Sequence, residues 1–79
     1  MARHTHRWAR TLAVAQAAVA ETALRPLPGD DAAVRDGLVV ERRVSPTGHA
    51  ALREIRVRVA DPGSGAETEL VELVYVPQR

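Results

Sequence analysis

The sequence predicts an α+β fold in which one long N-terminal amphipathic helix packs on a three-stranded antiparallel meander. Three observations predict it. Residues 7–25 carry an apolar stripe at helical spacing, residues 53–59 alternate at strand spacing, and two turn clusters divide the C-terminal half into three segments. All 79 residues are read as one domain, with the helix at about 5–25, a loop at 26–37 and the sheet at about 38–77.

On a helical wheel at about 100° per residue, Trp8, Leu12, Ala15, Val19 and Ala23 form one stripe, with Ala9 and Ala20 beside it. Arg7, Arg10, Glu21 and Arg25 fall on the opposite side, and Glu21 precedes Arg25 at the favourable i,i+4 spacing. Val14 lies among those charges, read either as ordinary surface scatter or as a contact point for a neighbour. A small-residue stripe permits close approach to a flat sheet. The helix is expected to stop near Arg25, because Pro26 and Pro28 cannot continue it, and Gly29-Asp30-Asp31 then begins a connector with at most one helical turn through Ala32 to Arg35.

Leu38, Val40 and Val44 predict a first strand with even positions inward, interrupted by Arg42. Ser45-Pro46-Thr47-Gly48 turns the chain. The second strand places Arg53, Ile55, Val57 and Val59 on one face and Glu54, Arg56 and Arg58 on the other. After the turn Asp61-Pro62-Gly63-Ser64-Gly65, the third strand is read with Val71, Leu73 and Tyr75 inward. A turn centred near Ser64 sets Val57 against Val71, Ile55 against Leu73, Arg53 against Tyr75 and Arg56 against Glu72. The first strand then brings Val40 near Val57 and Leu38 near Val59.

Composition narrows the function. The apolar share is 46%, but Phe is absent and Trp8 and Tyr75 are the only aromatics, so the core is thin and a partner is expected. Without cysteine there is no disulfide, thiolate metal site or thiol nucleophile. A net charge of +1 supplies no strong field for nucleic acid or anionic lipid. The run Leu12 to Ala20 is far short of the roughly 20 apolar residues of a membrane span.

Candidate chemistry is sparse. His4, His6 and His49 lack a third ligand at metal spacing, Asp30, Asp31, Asp36 and Glu41 lack an apolar pocket to separate their pKa values, and Ser45 and Ser64 sit in turns without a spaced histidine. No catalytic residue, metal or cofactor is expected. Arg42, Arg43, Arg53, Arg56 and Arg58 would suit an RNA-binding sheet, but Glu54, Glu69 and Glu72 are interleaved and aromatic platforms are missing, so cross-strand ion pairs are the expectation.

The helical run from Arg10 to Leu24, the Pro/Gly loop, Val40-Glu-Arg-Arg-Val-Ser-Pro-Thr47 and Leu52-Arg-Glu-Ile-Arg-Val-Arg-Val-Ala-Asp-Pro62 resemble the soluble part of minor pseudopilins. The I type of type II secretion is the nearest likeness, followed by type IV minor pilins of the PilV kind. The likeness spans nearly all of the chain from Arg10, on moderately specific motifs. The family's basic leader, cleavage-point Gly, Phe-Thr-Leu-x-Glu signature and hydrophobic helix are missing from the sequence, and the resemblance implies that they belong to a longer parent.

The resemblance further implies a non-enzymatic assembly subunit, periplasmic and anchored in the inner membrane only through that segment. It would join other minor pseudopilins in a hetero-oligomeric tip complex that primes the pseudopilus for protein transport, without a small-molecule substrate or nucleic acid. Trp8, Leu12, Val14 and Ala18 are the candidate partner-binding residues, with Val14 and Ala18 off the sheet-facing stripe. The alternative is a small nucleic-acid-binding or regulatory interaction module using the Arg-rich sheet face.

Overall fold

The prolines end the helix where the sequence requires: α1 runs Ala2–Leu24 and the chain then leaves through Pro26 and Pro28. The computed structural model describes residues 2–77, with side chains from Trp8 onward. Four strands follow, β1 (Gly29–Arg35), β2 (Leu38–Pro46), β3 (Leu52–Ala60) and β4 (Glu67–Tyr75), as an antiparallel sheet in the order β1-β2-β3-β4. The architecture is α+β, one helix on one face of a meander. α1 lies over β3 and β4, touches β2 little and leaves β1 uncovered.

The expected three-stranded sheet is thus corrected to four, because the connector at 26–37 contains β1 rather than a loop with a helical turn. The cause is local. Asp36 (φ 52°) and Gly37 (φ 78°) both take left-handed conformations, which makes a two-residue turn of the hairpin-forming kind and folds residues 29–35 back on β2. Asp30 then lies opposite Arg43 and Asp31 opposite Arg42, and both pairs form salt bridges, the first at 3.2 Å.

The helix, expected at about 5–25, runs 23 residues, and the 17 from Trp8 to its end are those whose side chains are described. Its packed part is shorter still. Thr11 is the first buried side chain among those described, and Arg10 reaches the Asp36 carbonyl at the β1–β2 turn, which marks that end of the sheet.

The packed face is also rotated from the expected stripe. Thr11, Ala15, Ala18, Val19 and Thr22 are buried, with Leu12, Val14 and Ala23 half-buried, whereas Trp8, Ala9 and Ala20 are exposed. Two threonines can face the sheet because their hydroxyls find partners: Thr22 donates to the Ala18 carbonyl (2.7 Å) and Thr11 to the Trp8 carbonyl (2.9 Å). With the Thr11 proton so used, the Thr68 hydroxyl is the donor in the buried 2.6 Å contact between the two threonines, tying α1 to β4. Glu21 pairs with Arg35 of β1 at 3.0 Å instead of pairing along the helix with Arg25.

The core consists of Ala15, Ala18, Val19, Leu38, Val40, Val44, Ile55, Val57 and Val59, so β2 and β3 face inward as the sequence predicts. Val40 lies opposite Val59 rather than Val57, a two-residue shift that keeps its face. On β4 the shift is a single residue and therefore reverses the faces. Val57 is opposite Leu70, Ile55 opposite Glu72, Arg53 opposite Val74 and Arg56 opposite Val71. Thr68, Leu70 and Val74 point to the helix, while Val71, Leu73 and Tyr75 are on the outer face, correcting the expected phase.

The β3–β4 turn fixes this register. Asp61 N–H donates to the Ala66 carbonyl (2.8 Å), Gly65 takes φ 78°, and the Asp61 carboxylate accepts from Ser64 Oγ (2.9 Å) and Gly63 N–H (3.0 Å). The Ser64 hydroxyl bond chiefly holds the Asp61 carboxyl below its ordinary value; partial burial opposes it, and the Gly63 amide and Arg10 assist. A depressed carboxyl pKa contributes stability that is present above the unfolded pKa, about 4, and is lost as pH falls through the folded one. Ser64→Ala is therefore expected to move the Asp61 titration upward in carboxyl NMR. Its destabilisation relative to wild type should be largest near neutral pH and shrink below pH about 4.

Candidate protein-interaction surfaces

Among the described residues, three surfaces bear on function. The first is an open basin of about 570 Å³ lined by Asp30, Ala32, Glu41, Arg43, Arg56, Arg58 and others. It is a lattice of ion pairs. Arg58 contacts both Glu67 oxygens (2.9 and 3.1 Å) and lies 3.8 Å from Glu41, and Arg56 lies 3.4 Å from Glu54 and 3.6 Å from Glu69. The Glu67 hydrogen bond, reinforced by its charge and that of Glu41, raises the pKa of the Arg58 guanidinium. These pairs are solvent-exposed, each worth roughly 0–1 kcal/mol.

The expected Arg56–Glu72 pair is replaced by Arg56 with Glu54 and Glu69, since Glu72 belongs to the other face. Arg53 leaves the ladder too: on the inner face, its guanidinium donates to the Pro26 carbonyl at 2.6 Å and clamps the chain leaving α1. Arg42, Arg43, Arg56 and Arg58 each have a carboxylate partner, so a phosphate bound there must displace carboxylates already in place.

The second surface is the start of α1. Arg10 marks the level of the β1–β2 turn, and its charge also acts on Asp61 at the β3–β4 turn. Trp8, 52% exposed, stands just before that level with Ala9 exposed beside it. Of the four candidate partner-binding residues, Trp8 is at the surface and Leu12 is half-buried. Val14 and Ala18 are not off the sheet-facing stripe: Ala18 is in the core and Val14 packs against it. They fall there because the buried stripe is centred on Thr11, Ala15, Ala18 and Thr22, about 60° from the all-apolar one.

The third surface was hidden from sequence reasoning by the β4 phase. Val71, Leu73 and Tyr75 are 49, 59 and 70% exposed in a row along the outer face of an edge strand. Single exposed apolar residues are ordinary, whereas a contiguous row on a sheet edge is a candidate contact surface. The available signal was the loop length from Asp61 to Ala66, which sets which alternate set of β4 turns inward.

Among the described residues there is no group of three or more His, Asp or Glu side chains able to hold a metal. His49 acts in its turn, where Nδ1 accepts the Ala51 N–H at 3.1 Å. The side chains of His4 and His6 lie outside the described residues. No helix among those residues is long and apolar enough to cross a membrane. Compared with protein-family models, curated proteins and solved structures, the chain matches none.

Proposed function

We propose that this chain is a non-catalytic assembly subunit that docks on other proteins through the N-terminal part of its helix, in the manner of the minor pseudopilins its sequence resembles. The observation that carries the reading is Trp8, a large aromatic left half in water on a helix that has already passed the edge of its own sheet. Aromatic side chains combine large contact area with little entropy loss on ordering, and tryptophan is enriched among residues that dominate interface energies. Leu12, one turn further on and half-buried, extends the apolar surface toward the sheet. The order of elements, a helix followed by an antiparallel meander, is compatible with a pilin-like subunit. The finer reading is a place in a tip complex of the type II secretion pseudopilus, periplasmic and membrane-anchored through a longer parent.

Co-expression with the soluble domains of K-type and J-type pseudopilins, followed by size-exclusion chromatography, tests it. A defined heteromer is expected, and Trp8→Glu should weaken it at least about tenfold, as loss of a central aromatic anchor does. Val14 is unsuitable as the probe, because its packing on the core would confuse unfolding with lost binding. Absence of any heteromer, with the chain folded, defeats the pseudopilin assignment.

A further inference from the structure

We propose that the β4 edge is a self-association surface, on which a second copy of this chain adds its own β4 antiparallel across a two-fold axis at Leu73. The inference goes beyond the assembly reading above and does not depend on it.

The backbone supports the pairing. Bonds from Asp61 N–H to the Ala66 carbonyl and from Val76 N–H to the Ala51 carbonyl, one at each end of the β3–β4 ladder, fix which residues bond across it. Even-numbered β4 residues face β3. The N–H and C=O groups of Val71, Leu73 and Tyr75 therefore point away from β3, along the outer edge of the sheet. An edge with apolar side chains and outward-pointing amides is a template for another strand.

The side chains select the partner and its register. With Leu73 opposite Leu73, Val71 falls opposite Tyr75 and Tyr75 opposite Val71, so the exposed apolar residues of one copy meet those of the other on the same face. A two-fold centred on Glu72 sets two carboxylates against each other. One centred on Val71 sets Leu73 against Glu69 and Tyr75 against Glu67. Of these three registers, only the Leu73-centred one matches every exposed apolar residue of the outer face with another, at the cost of setting Glu72 opposite Val74 on the inner face. The opposite edge, β1, is guarded by Asp30, Asp31 and Arg35.

The helix fits the same symmetry. A two-fold perpendicular to the sheet keeps both helices on one face. Because α1 lies over β3 and β4, the two axes fall about two strand spacings apart, about 10 Å, which is close to helix–helix packing distance. Glu21 and Arg10 turn toward β1 and the β1–β2 turn, so the flank nearest β4 carries Leu12, Gln16 and Ala23, which would form the contact between the two helices.

Sedimentation equilibrium of the full chain and a cysteine cross-link test this. Wild type should sediment at about twice the 8.6 kDa chain mass at tens of micromolar, and Leu73→Glu, which opposes two like charges on the axis, should sediment as a folded monomer by circular dichroism. The chain contains no cysteine, so a single one reports position cleanly. In Leu73→Cys the two Cα atoms stand about 5.5 Å apart, within disulfide reach, and a covalent dimer should form on mild oxidation. In Glu69→Cys they stand about 26 Å apart and none should form. A wild-type monomer, a dimer unaffected by Leu73→Glu, or equal cross-linking at both positions overturns the proposal. A monomer that still forms the pseudopilin heteromer would refute self-pairing alone, and a monomer whose edge captures an added alternating apolar peptide would give the edge to a foreign strand.

Discussion

Ile55→Ala is expected to lower the unfolding free energy by about 3 kcal/mol, read as a fall in the urea midpoint without a change in slope. Ile55 is fully buried in the middle of the sheet, between Val44 on β2 and Glu72 on β4, with α1 above it. The cost combines the lost transfer free energy of the side chain with a cavity that its neighbours cannot fill, because they are short alanines and valines. For a domain this small the shift is about 4–8 °C of Tm per kcal/mol, so the variant should be largely unfolded at a temperature where wild type is intact. A loss below about 1 kcal/mol would mean that Ile55 is not central to the core.

Gly37→Val is expected to detach β1 while the rest of the sheet survives. Gly37 holds φ 78°, and a β-branched residue there costs at least about 1–2 kcal/mol, charged directly against the turn that holds β1 on β2. β1 is exposed along its whole length and has no contact with the helix backbone, so it is retained by its ladder with β2, the Asp30–Arg43 and Asp31–Arg42 pairs and the Arg35–Glu21 pair. Hydrogen exchange should show lost protection at residues 29–35 with β3 amides still protected. Uniform loss across the sheet would mean that the β1–β2 hairpin is integral to the core rather than appended to it.

The two substitutions mark the two kinds of element in this chain. β2 and β3 were legible because burial leaves a period: Val40 and Val44, and Ile55, Val57 and Val59, have no reason to alternate with charges except that one face is dry. β1 carries no such period because neither face is buried, and its composition of Gly, Asp, Ala, Val and Arg is poor strand material. Its only local signal is the Asp36-Gly37 dipeptide, a hairpin turn in its own right. Its residues gain a structure through arginines on β2, and that pairing is a tertiary fact.

β4 shows the other limit. Both alternate sets contain apolar residues, Leu70 and Val74 in one, Val71, Leu73 and Tyr75 in the other, and the more apolar set is the one that lies outside. Counting hydrophobicity chooses the wrong face because the β3–β4 loop and the Thr11–Thr68 contact, rather than apolar content, set the phase. The same contact explains the helix, where two hydroxyls satisfied by nearby carbonyls displace Trp8 from the buried stripe. The candidate sites follow from these two displacements, and each exposes apolar surface that the sequence assigned to the interior.

The sequence by itself determined the class, the order of the helix and of β2, β3 and β4, the helix end at the prolines and the inward faces of β2 and β3, because these depend on local sterics and on periods that burial imprints. Only the tertiary structure decided the fourth strand, the phase of β4 and the rotation of α1, since each turns on which side chains from distant parts of the chain can satisfy one another at close range.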